Sequence, residues 1–599
     1  MRNKRIMRIV CLLMAALILV SSIVIVVSAD TNGSGSASIE DFKTQMSTIS
    51  YDDYMDMYPD YFDTLKTGDE TLVFDATQGL TFKDPKGNVI EVGKNSWTMT
   101  AKDGTVYRSV TEAVAAGYKQ DELVYAAEYG EGTEKQWALY TPDIGTVTWT
   151  LDLAALGVTE GGLYFIGLEY YSVAGKPTAV ERAFTLNGSV PFAEARSLTI
   201  PKIWGSFMAD GESAITSTYT LKKGDSLDEL VAAAKDAGLI YTVAEDGKSV
   251  TVQQPRVINA KINAFLNRYE LRFFTTDNER NELRPTMKQV ETWASYTLRD
   301  SDGYYANALG FVIEPKDGKV QLALEGVNEA VAISQIVLTP YTEMKSYADY
   351  RAEVEAAIGG YKAGTDTIKL EAEYTSNTST NVVYPIEDRA SALTSPADTT
   401  RTVLNTIGTE KWATSGQWAE YKFTVSSSGF YSIYSRFKQS YLDGMYVSRS
   451  LQIFTDRDLA DYAATYGNTA GYYNGAPFAE AATLRYDYSD RWQVSGLTSS
   501  GNDDNYQLYF EEGVVYTIRL EVTLGSMNTQ VQRIESILNA LNNDYLSILK
   551  LTGTTPDDYR DYNFYSLLPE VLNDMNDQAV ELKELSTFLK TSAGVASTY

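Results

Sequence analysis

The sequence contains no histidine, and this absence excludes a large part of enzyme chemistry. Ser-His-Asp and Cys-His nucleophilic systems, histidine metal ligands and imidazole proton shuttles all require that side chain. A glycoside hydrolase could still act with two carboxylates held across a cleft, but no acidic pair stands in a recognisable catalytic context. We therefore expect a chain that is not an enzyme, with a carboxylate-based hydrolase as the third alternative.

Cysteine is nearly absent, because Cys11 is the single one in the sequence. This excludes an intrachain disulfide and a cysteine-ligated zinc. Cys11 lies in an uncharged run, from Ile9 to Val27, that follows a basic start and ends at small residues up to Ala29. Residues 1–29 are predicted to be a cleaved export signal or an uncleaved membrane anchor, since the run is long enough to cross a bilayer. Either alternative places the rest of the chain outside the cytoplasm, secreted or held at the cell surface.

Basic residues are in deficit: 51 Lys and Arg stand against 79 Asp and Glu, for a net charge of −28. Nucleic-acid binding is not expected, because phosphate contacts need clustered Lys and Arg. The acidity fits solubility at a cell surface. Tyrosine is in excess, with 43 residues, which suits either strand packing in a β-rich protein or contacts with sugar rings.

Two distant stretches are nearly the same: residues 187–198 read NGSVPFAEARSL and residues 474–484 read NGAPFAEAATL. The match extends in both directions and in the same order: 162–164 with 429–431, 181–184 with 448–451, 311–314 with 508–511, and 322–325 with 518–521. Such an ordered series predicts one structural unit used twice. Duplicated β modules on an exported chain more often bind than catalyse.

Strand-like alternation, turn residues and helical periodicity divide the chain into parts. These are 1–29 (signal or anchor), 30–65 (tether and lead-in), 66–341 (first β module, with an α/β insertion at about 199–282), 342–366 (linker), 367–524 (second β module) and 525–599 (helical hairpin). In the insertion, Asp225 or Ser226 is predicted to cap a helix. With the insertion removed, Leu283 aligns with Leu484, and Trp293 with Trp492. The last part carries two amphipathic helices that should pack antiparallel.

Several motifs in a fixed order resemble a known family: LNTIG at 404–408, GQWAEYKF at 416–423 and GTTPDDYRDY at 553–562. They look like the N-terminal accessory half of a large extracellular substrate-binding protein of a Gram-positive sugar ABC transporter. The resemblance implies a mainly β fold, with two galactose-binding-like jelly-roll β-sandwiches and then the helical hairpin. In that family a two-lobed solute-binding domain follows the hairpin. It would begin where residues 1–599 end, and the usual lipid-attachment cysteine is missing.

The resemblance also points to a metal. Glu371 and Glu373 resemble half of the structural calcium site of calcium-bearing carbohydrate modules. Two carboxylates two apart on a strand would face the same side, where oxygen ligands can converge on one cation. The alternative is an edge strand whose carboxylates face solvent, because Glu521 is the one acidic residue that the last strand offers.

A sugar site needs exposed aromatic faces flanked by groups that bond to hydroxyls. The predicted ligand-binding residues lie in or beside loops of the second module: Trp412, Tyr441, Tyr446, Arg449, Tyr472 and Tyr473. The first module offers Trp137 and Tyr171. The remaining strand tryptophans are predicted to lie in the core: Trp149, Trp293, Trp418 and Trp492. For the repeat-equivalent Arg182 and Arg449, the alternative to ligand binding is a buried ion pair with Glu194 and Glu480.

The function expected from these observations is non-catalytic carbohydrate binding outside the cell, accessory to or derived from an ABC-type sugar import system. The expected partners are an oligo- or polysaccharide, and an importer permease or a separate solute-binding domain. Membrane contact is expected only through the N-terminal segment. The competing hypothesis is a surface spacer or protein-interaction module that has lost its sugar.

Overall fold

The computed structural model describes residues 49–58, 71–93, 95–158, 161–206, 215–305, 307–391, 393–441, 445–467, 469–499, 505–557 and 559–592. The predicted signal or anchor and the tether that follows it lie outside these ranges. Among the helices within them, none is both long enough and apolar enough to span a membrane.

The fold is mainly β with helices at the C-terminal end, which confirms the predicted fold class. The first sandwich begins with α1 (Tyr51–Asp56), β1 (Leu72–Asp75), β2 (Leu80–Lys83), β3 (Val89–Gly93), β4 (Ser96–Thr100), β5 (Val106–Tyr107), α2 (Val110–Ala115), β6 (Tyr125–Tyr129), β7 (Gln136–Thr141), β8 (Thr146–Asp152), β9 (Gly162–Tyr171), β10 (Val180–Leu186), β11 (Leu198–Ile200) and β12 (Trp204–Gly205).

The insertion follows as β13 (Thr216–Thr220), α3 (Leu227–Asp236), β14 (Tyr241–Val243), β15 (Ser249–Gln253), β16 (Val257–Ile258) and α4 (Ala260–Tyr269). The first sandwich then resumes with β17 (Lys288–Gln289), β18 (Trp293–Thr297), β19 (Gly310–Ile313), β20 (Lys319–Asn328) and β21 (Val331–Pro340).

The second sandwich consists of α5 (Tyr347–Ile358), β22 (Asn377–Thr378), β23 (Pro385–Ile386), β24 (Thr406–Ile407), β25 (Trp418–Phe423), β26 (Gly429–Ser432), β27 (Tyr434–Phe437), β28 (Tyr446–Thr455), α6 (Leu459–Tyr466), β29 (Asn474–Gly475), β30 (Leu484–Asp487), β31 (Gln493–Gly496), β32 (Gln507–Phe510) and β33 (Tyr516–Thr523). The helical hairpin follows as α7 (Asn528–Thr552), α8 (Phe564–Leu567) and α9 (Pro569–Ser592).

Two sheets enclose the core of the first sandwich. One runs in the order β18-β9-β21-β7-β6, with β1 beside β21 and β19 beside β9. The other runs in the order β11-β10-β20-β8-β2-β3-β4-β5. Alternate residues of each strand point inward, so that Phe82, Trp149, Phe184 and Phe311 are buried between the sheets. Trp149 also donates its indole N–H to the carbonyl of Ala76 at 2.8 Å, which satisfies the ring's polar atom.

The strands of the repeated stretches pair in the same register in both sandwiches. Gly162 pairs with Ile313 as Gly429 pairs with Phe510, which is the register that the repeated stretches predict. The predicted alignment of Leu283 with Leu484 is wrong. Leu198 pairs with Arg182 as Leu484 pairs with Arg449, because the chain completes β11 before it leaves the first sandwich.

A short helix opens each sandwich and belongs to the repeat. Ser50 caps α1 and Ser346 caps α5, and both are followed by Tyr-x-Asp-Tyr. The N–H of Tyr51 donates to Glu194 at 3.0 Å and that of Tyr347 donates to Glu480 at 2.9 Å. These two carboxylates therefore hold helix N-termini, and the alternative that pairs them with Arg182 and Arg449 is wrong.

The tyrosines of these helices also satisfy backbone groups of the neighbouring strand. In the first sandwich, the hydroxyl of Tyr51 accepts from the N–H of Gly310 at 2.8 Å and that of Tyr54 accepts from Val312 at 2.9 Å. In the second sandwich, Tyr347 accepts from Gln507 at 2.9 Å and Tyr350 from Tyr509 at 3.1 Å. Since unpaired buried N–H groups are costly, these helices cover the free edges of β19 and β32.

The insertion has its own small core and also joins the second sandwich. Strands β13, β15 and β14 form a sheet, α3 and α4 pack on it, and Ser226 caps α3 as one of the two predicted residues. Two short strands connect this region to the second sandwich: β12, which precedes the insertion and also pairs with β17, and β16, which lies within the insertion. Trp204 of β12 pairs with Thr378, and Val257 of β16 pairs with Lys422, so both extend the sheet of the second sandwich.

The helices α7 and α9 form the expected antiparallel pair. Arg533 near the start of α7 donates to Glu581 of α9 at 3.1 Å. Further along, Gln578 donates to Asp544 at 2.8 Å, and both side chains are buried in the seam. Such a polar pair in an apolar seam favours one register.

We predict that Arg182→Met lowers the free energy of unfolding of the first sandwich by about 3 kcal/mol, because it leaves buried carbonyl groups without donors. The guanidinium is 1% exposed and donates to the carbonyls of Glu181, Asn328, Glu329 and Pro142 at 2.8 to 3.2 Å. Burial lowers its pKa to about 10. Urea unfolding followed by tryptophan fluorescence measures the effect, with the exposed Arg491→Met as the control. Equal midpoints for the two variants would contradict the prediction.

Candidate functional site

Two of the predicted sugar-binding aromatics are core residues. Trp412 is 9% exposed and Tyr473 is 2% exposed, so the expectation that they present free ring faces is wrong. The indole of Trp412 donates to the carbonyl of Gln417 at 3.0 Å and packs against Val383 and Tyr421. The hydroxyl of Tyr473 donates to the carbonyl of Tyr509 at 2.8 Å. The polar atoms of both rings are hydrogen-bonded inside the protein. Their position in loop-like sequence therefore does not indicate exposure.

The other four predicted residues do not gather into one surface. Arg449 lies 4.7 Å from the Trp412 ring and donates to its carbonyl at 2.9 Å. Tyr446 lies under the guanidinium of Arg485, and the hydroxyl of Tyr472 reaches the carbonyl of Arg457 at 3.3 Å. Tyr441 is 81% exposed. Among the side-chain contacts of the described residues, Trp412 with Arg449 is the one that connects two of the six predicted sugar-binding residues.

A row of aromatic rings lies instead on the first sandwich, on the face of the β18-β9-β21-β7-β6 sheet that points away from the core. We define this aromatic band by five residues: Tyr125, Tyr129, Tyr140, Tyr171 and Trp293. Residues that are directly paired across an antiparallel sheet share a face. The pairs Tyr125–Tyr140 and Tyr171–Trp293 therefore lie on one face, and Ala332, paired with both Tyr140 and Tyr171, joins them.

The rings of the band form a nearly continuous layer. Tyr125 and Tyr140 stack with centroids 5.0 Å apart and planes 17° apart. Tyr171 lies 5.2 Å from Tyr129 and 5.2 Å from Trp293. Small residues lie between and beneath the rings, since Ala138 and Ala332 have no exposed surface. Tyr171 is 9% exposed, as buried as Trp412, and it supports the other rings from the centre of the layer. Tyr125, Tyr129, Tyr140 and Trp293 are half-buried, so their outer parts are the apolar surface that the band offers.

The polar surroundings of the band are acidic. The charges of Glu131 and Glu291 act with burial to raise the pKa of Tyr171. Burial raises the pKa of Tyr140 to about 12, so its hydroxyl stays protonated and can donate at any physiological pH. Gln136 lies on the same face, opposite Tyr129. Carboxylate, amide and hydroxyl groups therefore border the apolar rings.

The band contains one residue that the sequence analysis named for binding and one that it placed in the core. Tyr171 was predicted as a candidate, whereas Trp293 was predicted to be buried. Trp149 and Trp418 are core residues as predicted, with 0% and 3% exposure, but Trp293 and Trp492 are half-buried at equivalent outer positions. The exposed Trp137 is on the opposite face of β7 from the band. The sequence signal for the band is two tyrosines four apart in a strand with an alanine midway between them, as at 125–129, which indicates two rings on one face of a sheet.

The predicted metal pair borders a cleft between the insertion and the second sandwich. Glu371 and Glu373 lie in a turn and not on a strand, so the argument that places both carboxylates on one strand face is wrong. Glu371 forms an ion pair with Lys369, and Glu373 is 2% exposed. Arg272 of the insertion reaches Glu373 at 3.3 Å and Glu282 at 2.9 Å.

This donor set does not fit calcium. The ion takes six to eight oxygen ligands, and in the described ranges no group of three acidic side chains is placed to hold a metal. The guanidinium of Arg272 already supplies positive charge beside Glu373. Calcium at Glu371 and Glu373 therefore stays a prediction that the geometry does not favour.

The pKa of Glu373 is raised to about 7 by burial and by the charge of Glu371, against the opposing effect of Arg272. The folded-state pKa of Glu373 lies above the pKa of an unfolded glutamate, so the folded state holds this proton more tightly. The contribution of Glu373 to the free energy of unfolding is therefore fully present below about pH 4.5 and is lost as the pH rises through 7. We predict that Glu373→Gln, which cannot ionise, gains stability relative to the parent protein between pH 5 and pH 8.

Thermal unfolding across this pH range tests the prediction, with Glu245→Gln, at an exposed position of the insertion, as the control. Parallel pH profiles for the parent protein and Glu373→Gln would contradict it. Repeating the series with calcium and with a chelator shows whether the metal changes either profile.

The comparisons with known proteins bear on the C-terminal helices. Residues 529–598 match the family described as bacterial solute-binding protein, 4-helix bundle domain. The match covers α8, α9 and all but the first residue of α7, and it relates this C-terminal part of the chain to bacterial solute-binding proteins. No curated protein matches the sequence.

Proposed function

We propose that the protein binds carbohydrate without catalysing a reaction, outside the cytoplasm, and serves or derives from an ABC-type sugar import system. The relation of residues 529–598 to a solute-binding protein domain supports the link to import. The aromatic band on the first sandwich is the observation that carries the binding proposal. It offers what a sugar needs: ring faces for the C–H groups, and carboxylate, amide and hydroxyl groups for the sugar hydroxyls.

The dimensions of the band favour a chain of sugars over a single unit. Tyr125 and Tyr129 are four residues apart on one strand, which corresponds to about 13 Å at roughly 3.3 Å per residue. From β7, the surface extends across three further strands (β21, β9 and β18) to Trp293. The proposed ligand is therefore an oligo- or polysaccharide that lies along the outer face of the sheet. The charges bordering the band are negative, so a neutral glycan is favoured over an acidic one.

The proposed partners follow from this role. A glycan held on the first sandwich would be passed to an importer permease or to a separate solute-binding domain, with residues 1–29 directing export or anchoring the chain. The second candidate function is a spacer or protein-interaction module. The burial of Trp412 and Tyr473 favours it for the second sandwich, where those residues were expected to bind sugar.

We predict that Tyr129→Ala weakens binding of a recognised polysaccharide about tenfold, because losing one stacked ring removes about 1.4 kcal/mol. A glycan array of the full chain, with and without calcium, identifies the ligand, and titration calorimetry measures the affinity. The control is Tyr434→Ala, which removes a tyrosine that is 59% exposed on the second sandwich. Equal losses in the two variants, or silence across plant, host and bacterial glycans, would favour the spacer.

A further inference from the structure

A second concave surface lies far along the chain from the aromatic band, where the insertion meets the second sandwich. We define this junction cleft by its walls: 254–273 of the insertion on one side, and 369–376, 395–396 and 421–422 of the second sandwich on the other. Its volume is about 250 Å³. That is slightly below the roughly 300–1,000 Å³ typical of sites for drug-sized ligands, so it suits one or two sugar rings.

Bonds between the two walls hold the junction cleft in shape. Asn263 of α4 donates to the carbonyl of Lys369 at 2.9 Å and accepts from its N–H at 2.6 Å. The hydroxyl of Tyr374 accepts from the N–H of Phe273 at 3.2 Å. The pairing of β16 with β25 joins the walls at a third place. A ligand would therefore meet preformed walls and would not have to order them, which saves conformational entropy on binding.

The chemistry of the lining is mixed and includes side chains with unused hydrogen-bonding groups. Within the part of the chain that the structure describes, the side chains of Gln254, Asn267 and Lys422 have no partner in the protein. Glu270 and Glu371 add acceptors. Donors and acceptors therefore face the same space, which is the pattern that a polyhydroxyl ligand satisfies.

An aromatic ring completes the lining. Tyr374 stacks on Phe274 with centroids 4.8 Å apart and planes 14° apart, which fixes the orientation of its ring. Charges of both signs line the cleft, four basic (Arg256, Arg272, Lys369, Lys422) and two acidic (Glu270, Glu371). Arg272 is compensated by Glu282 and Glu373, so that the charges at the cleft nearly cancel. A ligand of either net charge would be repelled by part of the lining, so a neutral one is favoured.

We propose that the junction cleft is a separate binding site for a neutral mono- or disaccharide, either free or as the end of a glycan chain. The site adds to the proposed function a second sugar position that is independent of the aromatic band. Because the ligand would contact both walls, its binding would stabilise the insertion against the second sandwich by an amount that rises with the logarithm of ligand concentration above the Kd.

Titration of the full chain with a panel of neutral mono- and disaccharides, by calorimetry and by saturation-transfer NMR, tests the proposal. We expect Asn267→Ala and Lys422→Met to weaken binding of the recognised sugar at least tenfold. Asn267 is an exposed helical residue, so alanine there should not prevent folding. The matched control, Asn539→Ala on an exposed position of α7, should leave the affinity unchanged.

The variant of the aromatic band separates this proposal from the proposed function. Small-sugar binding that survives Tyr129→Ala and is lost in Asn267→Ala supports the junction cleft, even if no polysaccharide binds. Small-sugar binding that is lost in Tyr129→Ala and unchanged in both cleft variants overturns it, as does the absence of any small-sugar binding at millimolar concentration. If Asn267→Ala also weakens binding of a polysaccharide that ends in the same sugar, the ligand of the cleft is the end of a glycan chain. If the substitution weakens binding of the free sugar alone, the ligand is the free sugar.

Discussion

The pairing of β16 with β25 is the contact on which the arrangement around the junction cleft depends. It is short, with Val257 opposite Lys422 and Ile258 opposite Phe423, but it places a segment of the first sandwich's insertion in the sheet of the second. An exposed sheet edge is a site for unwanted pairing, and here the chain covers it with its own strand. The pairing of β12 with β22 does the same nearby. The insertion is therefore joined to the second sandwich by backbone pairing, and Arg272 adds a side-chain bond to Glu373 of that sandwich while it also bonds to Glu282 of the insertion.

The two sandwiches share their pairing register but differ on their outer faces. Trp492 holds the position equivalent to Trp293, yet its indole donates to Asp388 at 2.8 Å, whereas that of Trp293 donates to the carbonyl of Glu134 at 2.9 Å. Beside Trp492 the outer surface carries Arg436 and an exposed Tyr434, with no layer of stacked rings among the described contacts of that face. A duplicated fold conserves what its core requires, and its outer surface is free to take a different role.

The sequence predicted those features that depend on local pattern. Period-two alternation located strands, the repeated PFAEA stretches located equivalent turns, and a period near three and a half located α7 and α9. It failed where the outcome depends on distant contacts. Trp412 has a loop-like context, but it is buried because Val383 and Tyr421 come from other segments to cover it. The pairing of β16 with β25 joins residues that are more than 160 positions apart in the sequence. A two-residue strand is too short to show a periodicity from which this pairing could be predicted.

One repeated motif in the sequence indicates a pair of equivalent helices. Ser-Tyr-x-Asp-Tyr occurs at Ser50 and again at Ser346, in segments interpreted as a lead-in and a linker. A cap residue followed by two tyrosines three apart predicts a helix with one aromatic face. In the structure both hydroxyls of that face accept from N–H groups along the free edge of a strand.

The position of Arg272 explains why a calcium-like carboxylate pair can stand in this fold without calcium. Burying Glu373 as an anion is costly unless positive charge lies close by, and either a metal or a guanidinium can supply it. A metal would need further oxygen ligands, whereas Arg272 brings a planar group that also bonds to Glu282 and to the carbonyl of Leu404. Because this cation belongs to the insertion, neutralising Glu373 and fixing the insertion to the second sandwich are one event. Arg272 thus supplies positive charge from within the chain at one wall of the junction cleft, beside the backbone pairing of β16 with β25.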